Sequence, residues 1–107
     1  MDDESPAASN LFCALDTMLA KESVAGLYEQ RGWSVRRCSW SDYEVRCDWA
    51  ELVIDGDSPI LMHGPVTDVV KRVKEILEPL HAAGISFTAE CYDADGTLLE
   101  VIRSTDR

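Results

Sequence analysis

The stretch Trp33-Ser34-Val35-Arg36-Arg37-Cys38-Ser39-Trp40-Ser41-Asp42-Tyr43-Glu44-Val45-Arg46-Cys47-Asp48-Trp49 decides the fold of this chain. Before Gly32 the apolar residues recur every three or four positions, and within this stretch they recur every two. A period of two is that of a half-buried strand, so the segment reads as a pair of strands around a short Ser41-Asp42 turn. That turn predicts a register with Trp40 opposite Tyr43, Cys38 opposite Val45 and Ser34 opposite Trp49, all on a core face. Arg37, Ser39, Glu44, Arg46 and Asp48 then share the wet face. Trp33 falls on the polar side. Either it packs under the end of the preceding helix or it stays exposed as an anchor for a partner, a role in which Trp is enriched. The candidate partner-binding residues are therefore Trp33, Arg37, Glu44, Arg46 and Asp48.

Upstream, Leu11, Phe12, Leu15, Leu19, Val24, Leu27 and Tyr28 predict a helix capped by Ser9 or Asn10 and ended by Gly32. The polar Lys21-Glu22-Ser23 shifts the stripe, which also allows two shorter helices with Ser23 capping the second. Residues 1–8 are acidic and bear a proline, and they read as a flexible leader. One domain is expected over 9–104, with 105–107 as a frayed tail.

Downstream, the second strand is expected to bend near Ala50-Glu51 and run on into Leu52-Val53-Ile54. The turn Asp55-Gly56-Asp57-Ser58-Pro59 leads to a third strand, Ile60-Leu61-Met62. Gly64-Pro65 stops it, and Thr67 is the expected cap of a second helix. Val66, Val69, Val70, Val73, Ile76, Leu77 and Leu80 form its apolar stripe. Pro79 is expected to kink or shorten this helix, and Gly84 to stop it. A hairpin closes the chain: Ile85 to Tyr92, a turn at Asp93-Ala94-Asp95-Gly96, and Thr97 to Arg103.

The reading is an α+β two-layer sandwich: an antiparallel sheet of about five strands under two helices, in the order α-β-β-β-α-β-β. From Ser9 to Arg103 this order resembles that of type III secretion chaperones, without the final helix those proteins carry. The resemblance implies a small acidic protein that dimerises and holds an extended segment of a partner.

The chain has 107 residues, 46% hydrophobic and 28% charged, which suits one globular domain. Such a chain buries roughly two thirds of its unfolded surface and needs neither disulfide nor metal for its core. No run approaches the roughly 20 apolar residues of a membrane span. Met1-Asp2-Asp3-Glu4 stands where a secretory signal puts positive charge, so a cytoplasmic location is expected. Twenty acidic side chains against ten basic ones give a net charge of -10. That field disfavours nucleic acid and anionic lipid and favours a basic partner.

Cys13, Cys38, Cys47 and Cys91 lack metal or redox spacing and are expected to be reduced and buried. Asp93, Asp95, Gly96 and Glu100 suggest a calcium loop, but the Gly and Glu fall too early for one; like Asp55-Gly56-Asp57, they read as a turn. His63, ending a strand beside Gly64-Pro65, could reach a cleft with Cys47 or Cys91 as nucleophile, although no spacing joins them. His81 suits a helix C-terminus. Gly64 alone before a helix makes no phosphate cradle, and Asp48 with Glu51 reads as a solvated strand face. No cofactor or metal is expected.

The function expected from these residues is that of a non-catalytic protein-binding module: a homodimer, a chaperone-like protein or an immunity-type antagonist. The rival is a small-molecule binder or enzyme with a pocket between sheet and helices near His63.

Overall fold

The computed structural model describes residues 10–104. The expected leader, Ser9 and the expected tail lie outside the described residues. The elements run β1 (Leu11–Asp16), α1 (Lys21–Glu29), β2 (Ser34–Arg37), β3 (Tyr43–Cys47), β4 (Ala50–Gly56), β5 (Ile60–Gly64), α2 (Val69–Ala82), β6 (Ser86–Tyr92) and β7 (Leu98–Arg103). The class is α+β with two helices, as expected, but the sheet has seven strands in the order β2-β3-β4-β5-β1-β6-β7. Every neighbouring pair is antiparallel.

Two strands account for the difference from five. Leu11–Asp16, expected as helix, is an interior strand, the fifth of the seven, paired with β5 on one side and β6 on the other. Leu11, Cys13 and Leu15 point into the core at period two, while Phe12 and Asp16 on the other face are exposed. Asn10 therefore caps no helix. Its side-chain amide donates to the Val66 carbonyl and accepts from the Val66 N–H, both at 2.8 Å, and so pins the loop entering α2. The second extra strand arises at Asp48-Trp49, where a tight turn puts Cys47 opposite Ala50 and divides the expected run-on strand into β3 and β4. With a strand as its first described element, the chain does not have the order on which the chaperone resemblance rested.

The first hairpin is also corrected. Ser34 stands opposite Arg46 instead of Trp49, an odd slip of three residues, and the connection is the longer Cys38–Asp42 loop. β3 keeps the faces predicted for it, with Val45 buried and Arg46 exposed. β2 reverses: Val35, not Ser34, joins the core side. Trp40, predicted inside, lies in the loop and is 90% exposed, and Cys38 is exposed beside it.

Both helices cover one face of the sheet. Val24, Ala25 and Tyr28 of α1 and Val69, Val73, Ile76, Leu77 and Leu80 of α2 share one core with Leu52, Ile54, Met62 and Ala89 from the strands. Tyr28 ties the helices together, its buried hydroxyl donating to the Ile76 carbonyl at 2.7 Å. α1 starts after Ala20 rather than at Ser23, and α2 after Asp68 rather than Thr67. Pro79 neither ends nor shortens α2, which continues to Ala82; Gly84, at φ 73°, makes the left-handed stop expected of it.

Candidate functional site

Where one sheet face is buried, strand alternation sends every second side chain to the other face. The cross-strand register builds one row over that uncovered face from Arg36, Glu44, Val53, His63, Phe12, Glu90 and Val101. A second row holds Asp55, Leu61, Ala14, Thr88 and Arg103.

An aromatic cluster stands at the centre. Phe12, 44% exposed, stacks on the His63 ring with centroids 5.7 Å apart and planes 15° from parallel. Tyr92 meets Phe12 edge-on at 6.0 Å. Carboxylates fix both flanks. His63 Nε2 lies 3.1 Å from Asp55, and the Tyr92 hydroxyl donates to Glu90 at 2.8 Å. That hydrogen bond, with lesser help from desolvation and from the Glu90 charge, raises the Tyr92 hydroxyl above its ordinary pKa. Further along β1 lies a depression of about 250 Å³, bordered by Ala14, Asp16, Pro59, Ser86, Thr88 and Arg103 and by none of the three rings. The rings thus stand between the carboxylates of Asp55 and Glu90, a setting whose chemistry suits a guanidinium group.

The residues chosen from the sequence do not form one patch. Trp33, 9% exposed, is a core residue and no exposed anchor; it packs edge-on against Tyr28 at 5.3 Å, under the end of α1. Glu44 and Arg46 lie on the uncovered face, each in an ion pair, Glu44 with Arg36 at 2.9 Å and Arg46 with Glu51 at 3.3 Å. Arg37 points its guanidinium at the Trp40 carbonyl within the loop. Asp48 sits in the β3–β4 turn, on an open groove of about 410 Å³ that also holds Arg46, Glu51 and Thr67. Trp49, which borders it, is wedged between Trp33 at 5.4 Å and the Arg72 guanidinium at 4.7 Å.

His63 faces away from the layer between sheet and helices, so the pocket expected there is not where the histidine is. Cys47 and Cys91 alternate to the opposite face from His63. Its own cross-strand neighbours are Val53 and Phe12. Burial, and then the neighbouring Cys91, push the Cys13 thiol up to about 12; burial and then Glu100 push Cys91 up to about 11, so both are held as thiols. Among the described residues, no three His, Cys, Asp or Glu side chains are grouped to hold a metal ion. The Asp93 carboxylate accepts from the Asp95 and Thr97 backbone N–H groups, which makes the hairpin turn.

The sequence reading missed Phe12, Tyr92 and the pairing of His63 with Asp55. The alternation of Leu11, Cys13 and Leu15 was the available signal, since it sends Phe12 outward. Among the described residues, no helix is long and apolar enough to cross a membrane. Compared with protein-family models, curated proteins and solved structures, the chain matches none.

Proposed function

We propose that this protein is a non-catalytic binding module that takes a basic protein segment on its uncovered sheet face. The observation that carries the reading is the Phe12–His63–Tyr92 cluster, partly exposed between Asp55 and Glu90 on a face that neither described helix covers. The net charge of -10 supports the choice of a basic partner, because it speeds encounter with cations. Arginine is the side chain this surface fits best: its flat guanidinium stacks on Phe12 while a carboxylate accepts its N–H groups. A cytoplasmic location fits the four cysteines, all of them unpaired.

The test is calorimetric titration with octa-arginine and octa-lysine peptides at physiological salt. Octa-arginine is expected to bind more tightly than octa-lysine. Phe12→Ala is expected to remove about 1 kcal/mol, roughly a fivefold loss, and to erase that preference. Equal affinity for the two peptides, unchanged in Phe12→Ala, would mean that the general acidic field alone attracts them.

A further inference from the structure

His63 is held by two neighbours on the uncovered face. Its Nε2 lies 3.2 and 3.1 Å from the two carboxylate oxygens of Asp55 on β4, and its ring lies nearly flat against Phe12 of β1. A carboxylate and the Phe12 ring are the same two contacts assigned above to a peptide arginine. The other charges on this face are acidic or already paired. β4 adds Glu51, which holds Arg46 of β3 at 3.3 Å, and β3 adds Glu44, which holds Arg36 of β2 at 2.9 Å. β6 adds Glu90, bonded to the Tyr92 hydroxyl, and β1 carries Asp16 at its far end. Arg103 stands three strands away, on β7. His63 has no charged neighbour on its own strand.

We propose that protonation of His63 releases a bound basic segment, so that the face takes its partner at neutral pH and gives it up in a mildly acidic medium. The inference rests on the binding reading above. With a neutral imidazole, the His63–Asp55 pair carries one negative charge, and Asp55 keeps lone pairs for a guanidinium. With an imidazolium the pair carries none, and the ring becomes a cation stacked on Phe12, so it takes up both contacts an arginine would make. A guanidinium brought beside it then meets repulsion in place of attraction. Imidazole is the side chain that ordinarily changes charge between about pH 5 and 8, while carboxylates stay ionised over most of that range and guanidinium over all of it. The other of the two histidines, His81, lies in the last turn of α2 on the opposite side of the sheet and serves as an internal control.

Calorimetric titration with N-acetylated octa-arginine at about pH 8 and about pH 5.5, at one ionic strength, tests this. The wild-type protein is expected to bind about fivefold more weakly at the lower pH. His63→Gln is expected to bind equally at both, and His81→Gln to keep the wild-type difference. Binding and protonation are linked, so saturating peptide is expected to lower the His63 titration midpoint, read from its imidazole NMR signals, by about one pH unit. Equal wild-type affinity at the two pH values, or a difference that persists in His63→Gln, overturns the inference. If the arginine preference at about pH 8 still depends on Phe12, that result leaves the binding reading standing; absence of binding at both pH values removes the two together.

Discussion

Phe12 on β1 and His63 on the neighbouring β5 stack across the β1–β5 ladder with their rings 15° from parallel, on the face opposite the helices. A stack so placed adds little to a core formed entirely on the other side. Replacing Phe12 by Ala is therefore expected to leave the melting temperature within a few degrees of wild type while removing the arginine preference. Unfolding of the variant would make Phe12 a structural residue.

The tryptophans separate the observed register from the predicted one. Trp33 packs between Tyr28 and Trp49, whereas Trp40 is 90% exposed. Trp33→Ala is expected to cost about 3–5 kcal/mol and Trp40→Ala less than about 0.5 kcal/mol, measured by urea unfolding. The reverse order would restore the Ser41-Asp42 turn.

Two glycines give opposite expectations. A Cβ on Gly64 would stand 2.0 Å from the Glu51 carbonyl oxygen, a backbone atom of the neighbouring strand. Gly64→Ala is expected to destabilise the fold by at least about 3 kcal/mol. Gly26, inside α1, has nothing within 4 Å of the same position, so Gly26→Ala is expected to stabilise by up to about 1 kcal/mol. Thermal melts of the two variants should move in opposite directions.

Stability should fall in alkali. Cys13 and Cys91 have folded pKa values raised to about 12 and about 11 from an ordinary 9.0, and burial raises Tyr28 well above its ordinary 10.0. Below pH 9 both states keep these protons. Above it the unfolded chain releases the thiol protons first, so stability drops by up to about 1.4 kcal/mol per pH unit per thiol until the folded values are reached. Urea unfolding at stepped pH between 8 and 11 should show the decline, and Cys13→Ala should lessen it. A thiol reagent should label exposed Cys38 in the native protein and reach Cys13 and Cys91 only after unfolding.

Much of the fold is legible in the sequence because α2 and β6 carry one clear period each and the Asp93–Gly96 turn marks the last hairpin. β1 is not. It is an interior strand, and with Phe12 apolar on its outer face, Leu11, Phe12 and Leu15 also satisfy a helical spacing. That one misreading hid the candidate site, since Phe12, His63 and Tyr92 lie on β1, β5 and β6, and only the insertion of β1 between the other two brings the rings together. The hairpin slipped for a related reason. The Ser41-Asp42 turn put Trp40 on the core face, whereas the longer loop leaves Trp40 outside and sets Val35 opposite Val45. Asp55, by contrast, looked like a turn residue and serves as the partner of His63.

The claim that the uncovered face is the binding surface is tested most directly by mapping amide chemical shifts during titration with octa-arginine at physiological salt. The account predicts that the shifted signals concentrate on Phe12, Ala14, His63, Glu90 and Tyr92, with the outward faces of α1 and α2 unmoved. Shifts spread over every acidic stretch of the chain, or gathered on the helices, would contradict it.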